Sequence, residues 1–477
     1  MNIKAYIFFT AIAVSGCATI KQVELPDTVN IPASFTSSSA DTTSVNRLSW
    51  KQFFTDENLV RLIDTALQNN YDLKSAVQRI MIARANTQIA NAARLPFVNA
   101  GGSIGVDKYG RYTLNGVGNF DTNLSPNISK NQKIPTSPTT DYFVGFRSSW
   151  EADIWGKLKD RKRAAYTRYL ASEKGRQWLV TQIVSQVAGM YYELLALDNQ
   201  LKTVQRNIGL QRKALEIVEA QMSGGRATML AVRQFKAQML HTQGAEVEIS
   251  QAIVRTENEL NSLLGRFPKQ INRDTSFTDK VVPQRIQAGI PSEVLLRRPD
   301  IQQAELELIA AKADISAARK AFLPSFTINP YVGLNAFKLP LLFSGGSVAA
   351  GIVGSLAGPI INRGVIKGDF AIANAQQADA FYNYQKNIVN GYQEVVTQIK
   401  AIENFNKAYE LKQAEVAELA EGVATANDLY LAGYASYLEV IVAQGSVLQA
   451  EMEQTNLKKE SFNSMINLFR SLGGGWE

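Results

Sequence analysis

Three features of the sequence carry chemistry in principle: the run Gly101-Gly102-Ser103-Ile104-Gly105, the single histidine His241 and the single cysteine Cys17. The run fits G-x-S-x-G, the pattern of a serine nucleophile, which needs a strand-turn-helix setting and a histidine partner. Here Ser103 sits inside an alternating stretch and His241 on a polar helical arm, so the match is read as coincidence in a Gly/Ser-rich strand. A lone cysteine closes no intramolecular disulfide. One histidine and that cysteine make no usual soft-metal cluster, and the methionines fall mainly at core-like helical positions. The expectation is a protein without catalysis, cofactor or resident metal.

The elements that place these residues occur twice. Leu296 to Pro324 reads L-R-R-P-D-I-Q-Q-A-E-L-E-L-I-A-A-K-A-D-I-S-A-A-R-K-A-F-L-P, and Tyr71 to Pro96 echoes it 228 positions earlier, aligning Asp72 with Asp300 and Ala83 with Ala311. Each copy is an Ala-rich helical pattern stopped by Leu-Pro, because proline lacks the next backbone donor and forces its neighbour out of the α region. Duplication explains 477 residues better than a count of independent cores, and one pseudo-symmetric unit is expected. The formal charge of +7 is scattered over helical patterns without an aromatic-basic motif, so no nucleic-acid partner is expected.

Cys17 closes a short leader: Lys4 supplies charge, Ala5 to Val14 is apolar apart from Thr10, and Val14-Ser15-Gly16-Cys17 ends it. The apolar run is too short to span a bilayer. It resembles a bacterial lipoprotein signal, whose cysteine takes a diacylglycerol and then an N-acyl chain. Several acyl chains anchor stably where one does not. Thr19 to Asn46 follows as a tether rich in Pro, Ser, Thr and Asn.

After Pro96 the period becomes two, Val98, Ala100, Gly102, Ile104 and Val106 alternating with polar or small residues, and Tyr142 to Ala152 does the same beyond a loop-like stretch at 108–140. A hairpin is predicted, and a second follows Pro324. Leu339 to Asn362 holds no charged residue and is long enough for a membrane helix, but its seven Gly and Pro residues between Pro340 and Pro359 favour strands. Each hairpin is followed by a long helix with steps of three and four: Val187, Met190, Leu194, Leu197, Leu201, Val204, Ile208, Leu215, Val218 and Met222, interrupted at Gln211, and then Ile388 to Tyr430. The turns at Gly224-Gly225 and Gly433 lead into return helices. Gly225-Arg226-Ala227-Thr228-Met229-Leu230 lies 208 positions before Gly433-Tyr434-Ala435-Ser436-Tyr437-Leu438.

Four strands cannot close a barrel, and an open edge in lipid strands backbone groups at several kcal/mol each, so other copies must complete it. Two copies give eight strands and three give twelve; strand arithmetic permits both.

The leader, S-W-K-Q-F-F-T-D-E-N-L, S-W-E-A-D-I-W-G-K-L, I-P-S-E-V-L-L-R-R-P-D-I, G-Y-A-S-Y-L-E-V and the ending L-G-G-G-W together resemble the TolC-type outer-membrane factors, in their efflux-lipoprotein branch. The resemblance implies a mixed α and β membrane protein: a homotrimer with a twelve-stranded transmembrane β-barrel, four strands per chain, and a long coiled-coil α-helical barrel. It implies an outer-membrane exit channel of a tripartite efflux system, anchored through Cys17 to outer-membrane lipid. Its partners would be a periplasmic adaptor (membrane fusion) protein and an inner-membrane pump of the RND type, passing drugs, other toxic compounds or metal ions.

On this reading Gly224, Gly225, Ala227, Thr228, Gly433, Ala435 and Ser436 form adaptor-contacting tips, and Glu439 falls where the family places an acidic gate residue. Val442 stands where a second acid is common, substituting a hydrophobic constriction. Arg297, Arg298 and Asp300 are expected to cap and orient a helix at the middle of the tunnel. The implied division is a signal peptide at 1–16, a lipidated tether at 17–49, periplasmic helices at 50–96, hairpin 1 at 97–154 and long helices at 155–265. A linker at 266–290, helices at 291–324, hairpin 2 at 325–362, long helices at 363–473 and a tail at 474–477 complete it. The competing reading is a non-conducting periplasmic coiled-coil scaffold or adaptor lipoprotein, which leaves two equivalent two-faced hairpins unexplained.

Overall fold

The computed structural model describes residues 23–35, 49–273, 277, 290–360 and 364–476. Cys17, its leader and much of the 266–290 linker lie outside the described residues. The chain divides into two compact units in place of the single one expected. One holds Ile82–Tyr169 and Leu306–Phe381, the other Pro26–Met81, Leu170–Glu305 and Tyr382–Glu477, so each draws on both halves of the sequence.

The first unit is built on an antiparallel sheet in the order β1 (Phe97–Asp107), β2 (Thr139–Ala152), β3 (Ser325–Ala336), β4 (Val348–Ala357). The register places Val98, Ile104, Val144, Phe146, Val332, Val348, Ile352 and Leu356 on one face, nearly all apolar and exposed. Asn99, Ser103, Arg147, Ser149, Thr327, Asn335 and Ser355 occupy the other. The uncharged stretch after Leu339 is therefore strand over Val348–Ala357, and no helix among the described residues is long and apolar enough to cross a membrane.

The region 108–140 departs from the loop expected of it. It contains helix α4 (Leu114–Leu124), started by Thr113, whose hydroxyl accepts from the Gly116 amide at 3.1 Å. Asn123 then holds Ile134 through both ends of its side-chain amide, Oδ1 accepting from the Ile134 N–H at 2.7 Å and Nδ2 donating to its carbonyl at 2.8 Å. Asn and Thr, counted as loop formers, here supply a cap and a clamp.

The Leu-Pro stops are tied down by tryptophans. Trp150 Nε1 donates to the Arg94 carbonyl at 2.9 Å, beside Leu95-Pro96, and Trp155 Nε1 donates to the Pro324 carbonyl at 2.7 Å. Between them Asp153 accepts from the Leu158 and Lys159 amides and starts the next helix. The run S-W-E-A-D-I-W-G-K-L is thus a junction, locking the end of β2 to both places where helix becomes strand.

The second unit is helical, and four of the helices below extend into the first. Short helix α1 (Trp50–Phe53), α2 (Glu57–Asn69) and α3 (Tyr71–Ala92) precede β1. The long helices are α5 (Lys157–Ser223), of 67 residues, and α9 (Gly364–Ala432), of 69, returning as α6 (Met229–Leu263) and α10 (Tyr437–Ser471). Between the two sets lie α7 (Pro291–Leu295) and α8 (Pro299–Lys320). At ~1.5 Å per residue α5 is about 100 Å long.

Trp50, Phe54, Leu59 and Ile63 pack on Val184, Val187, Tyr191, Leu194 and Phe469 in the largest core cluster. Asp56 starts α2 by accepting from Asn58 and also accepts from the Tyr191 hydroxyl at 2.9 Å. Of the predicted α5 seam, Val187, Leu194, Leu197, Val204, Ile208, Leu215 and Val218 are buried. Gln211, which interrupts that seam, is 1% exposed, and neither polar atom of its side chain finds a hydrogen-bond partner among the described residues.

Candidate functional site

The turns joining the long helices to their returns are built alike. At the first, Arg226 N–H donates to Gln221 O at 2.8 Å and Gly225 N–H to Met222 O at 3.0 Å; at the second, Tyr434 N–H donates to Leu429 O at 2.8 Å and Gly433 N–H to Tyr430 O at 3.1 Å. This paired pattern closes a helix with its next residue left-handed, and Gly225 and Gly433 have φ of 74° and 82°. Each return helix is then capped: Thr228 Oγ1 accepts from Ala231 N–H at 3.2 Å, and Ser436 forms a reciprocal capping box with Glu439.

The two tips belong to one packed assembly. Leu215, Val218, Val232, Phe235 and Val440 share a core with Met222, Ala227, Tyr430 and Tyr437. The Tyr430 hydroxyl donates to Gln221 Oε1 at 2.6 Å, bridging α9 to α5. A cavity of about 220 Å³ opens between the helices, lined by Ile217, Phe235, Val423, Tyr430, Val440 and Gln444.

Glu439 and Val442 lie three residues apart on α10 and are both exposed, while Val440 between them is buried. Glu439 also has a local task absent from the sequence reading: its Oε2 accepts the Ser436 N–H at 3.0 Å. Ala231 occupies the equivalent place at the first tip, which has no capping box. Small Ala227 and Ala435 are half-buried between the turns, whereas Leu230 and Leu438 stand 60% and 53% exposed at matching places. The leucines, with Tyr434, were missed as surface residues. The signal for them was the same 208-position repeat that marked their small neighbours.

The L-L-R-R-P-D-I stretch centres on a buried arginine that bonds to several helices. Arg298 is 1% exposed and grips Asp300 with Nε at 3.1 Å and Nη2 at 2.8 Å; Nη1 donates to Glu394 at 2.9 Å and to the Ser471 carbonyl at 2.8 Å. Its guanidinium lies 5.1 Å from the Trp178 ring centroid. Burial opposes the charged form, but the Asp300 and Glu394 carboxylates outweigh it and hold the pKa above its ordinary value. Arg298 therefore joins α8, α9, the end of α10 and α5, while Arg297 is exposed.

The G-x-S-x-G run lies wholly within β1, paired antiparallel to β2, without the strand-turn-helix elbow a serine nucleophile requires. His241 is an exposed residue of α6.

Two long helical hairpins and a four-stranded sheet with one exposed apolar face are the features of a membrane-associated protein. The sequence matches the outer membrane efflux protein family over residues 62–266 and 290–474, and the chain belongs to that family, whose members are channels and not enzymes. It is 29% identical over 476 residues to the cation efflux system protein CusC of Escherichia coli O6:H1, covering 98% of each chain. It is 30% identical over 429 residues to the pyoverdine export outer membrane protein OpmQ of Pseudomonas putida, covering 90% of this chain and 88% of that one. Crystal structures of CusC superpose with a TM-score of 0.80 at 27% identity, covering 96% of this chain and 100% of the other. The protein is an outer-membrane efflux channel.

Proposed function

We propose that three copies of the chain close a twelve-stranded barrel in the outer membrane, continued by a gated helical tunnel, and that this duct is the exit of a tripartite efflux system. The observation that carries it is the sheet: four antiparallel strands with β1 and β4 as open edges and an exposed apolar face from Val98 to Leu356. In lipid those edges need strands from another copy, and three copies supply an even total of twelve. Cys17 carries the diacylglycerol and N-acyl chain that anchor the chain to outer-membrane lipid; no cofactor takes part.

The tips at Gly224-Gly225 and Gly433 receive a periplasmic adaptor. Ala227, Thr228, Ala435 and Ser436 leave shallow grooves flanked by the exposed Leu230 and Leu438. Glu439 and Val442 form the gate: three carboxylates gathered by threefold symmetry attract cations and repel one another, and three valines below them narrow an apolar ring. An inner-membrane pump of the RND type drives transport and sets the cargo. Relatives named for cations and for pyoverdine fit a shared exit whose cargo is chosen upstream.

Planar-bilayer recording of the purified, lipidated protein tests this reading. Stepwise conductance that grows when Glu439 and Val442 are replaced by alanine is expected; a well-folded protein that never conducts in either form is the outcome of the scaffold reading.

A further inference from the structure

The polar face of the sheet carries charge at four places, Asp107, Asp141, Arg147 and Glu151, and they are not equivalent. Asp107 and Asp141 lie at the hairpin-loop end of the strands, and Asp141 accepts from Asn335 Nδ2 at 2.8 Å. Glu151, at the opposite end, is paired with Lys157 at 2.7 Å. Arg147 stands between them with Asn99 and Tyr331 as its register partners, neither of them charged. At ~3.3 Å per strand residue it lies about 20 Å from Asp141 and about 13 Å from Glu151, both beyond the ~8 Å screening length of physiological salt. It is an exposed cation in the middle of the face, too far from either acid to be neutralised.

Its position is built. The Arg147 guanidinium lies 4.3 Å from the centroid of the Phe143 ring, and that ring, only 7% exposed, meets Tyr331 edge-on at 6.2 Å. The ring lies down across the cross-strand pair Gly145 and Gly333, where an added Cβ would come within 3.1 and 2.9 Å of Phe143 Cζ. Backbone alone would stand closer still, since a Cβ on Gly145 would meet Val332 O at 2.4 Å. Two glycines thus make a trough for the ring, and the ring a shelf for the guanidinium, which stacks on aromatic faces readily.

We infer that Arg147, held on Phe143, is an anion-attracting selectivity element on the inner wall of the barrel. The inference rests on the barrel reading above, in which the apolar face meets lipid and the polar face lines the lumen, so that threefold symmetry repeats the arginine as a ring. Rings of arginine or lysine favour anions in a pore. The solutes it acts on are small anions and cargo bearing carboxylate or comparable anionic groups, opposite in sign to those favoured by Glu439.

The test is the reversal potential of the purified trimer in planar bilayers across a potassium chloride gradient, for the wild type, Arg147→Gln and Arg147→Lys. Arg147→Gln is expected to lower the chloride-to-potassium permeability ratio by about twofold or more, and Arg147→Lys to keep most of the wild-type ratio. A conducting Arg147→Gln protein with the wild-type ratio overturns the inference, as does a loss in Arg147→Lys equal to that in Arg147→Gln, which would place the effect in strand packing and not in charge. Absence of conductance in every variant removes the tunnel reading itself and this inference with it.

Discussion

Arg298 Nη1 donates to Glu394 Oε2 at 2.9 Å across 96 positions of sequence, while the Nε–Nη2 edge of the same guanidinium holds Asp300 in a fork. The neighbouring Ser471 carbonyl takes a further bond, so one buried cation fixes the meeting of four helices. Replacing Arg298 by alanine leaves carboxylates and a carbonyl without their donor and is expected to cost about 3–5 kcal/mol. Lysine keeps the charge but not the fork, so Arg298→Lys is expected to recover only part of this. The temperature at which each purified variant unfolds, followed by circular dichroism, measures the order wild type, lysine, alanine.

Gln211 offers the opposite case. Its amide is buried in the α5 seam with no partner for either atom among the described residues, and unsatisfied buried polar groups cost about 1–3 kcal/mol. Gln211→Leu continues the apolar repeat and is expected to raise the unfolding temperature. An equal or lower temperature would mean that the amide has an interaction, such as a bound water, that leucine cannot replace.

Glu439 caps α10 through the Ser436 N–H, and the proposed gate gives its carboxylate a second task that can be separated from the first. The amide oxygen introduced by Glu439→Gln can still accept the Ser436 N–H, since glutamine serves in a capping box as glutamate does. Helix stability should therefore survive in Glu439→Gln, and only the cation preference of the open channel should fall. Glu439→Ala loses both, with about 1 kcal/mol of cap stabilisation at the tip. Reversal potential and thermal unfolding measured on the two variants separate charge from cap.

The helices were readable because their apolar steps repeat over many turns, and the hairpins because the period changes at Leu-Pro in both copies. The four strands appear as expected, including Val348–Ala357 within a stretch whose hydropathy alone suggested a membrane helix. What stayed hidden depends on distant partners. Nothing near Arg298 in sequence announces Glu394 or Ser471, and nothing near Trp150 or Trp155 announces the carbonyls of Arg94 and Pro324. Helix α4 was missed because its Thr113 cap and the Asn123 clamp use residue types that serve turns equally well. Glu439 was legible as a carboxylate just past the tip, whereas its bond to Ser436 rests on a spacing of three that was not read as a capping box.

Acid sensitivity is expected at the junction of sheet and helix. Lys320 Nζ donates to Asp160 at 2.6 Å. Burial opposes ionisation of Asp160, but hydrogen bonds from Lys320 and Ser316 outweigh it and hold the pKa below its ordinary 3.8. A carboxylate depressed in this way contributes stability above its unfolded value and loses it as pH falls through the folded one. The stability difference between the wild type and Lys320→Met should hold at neutral pH and shrink below pH 3.8. A difference unchanged into strong acid would rule the pair out as its source.

In the proposed barrel the open edges β1 and β4 are closed by neighbouring copies. Native mass spectrometry of the full-length protein, extracted in mild detergent from the outer-membrane fraction, counts those copies directly. Three chains per particle is the predicted result, giving twelve strands; a particle of one or two chains under conditions that preserve the fold contradicts the account.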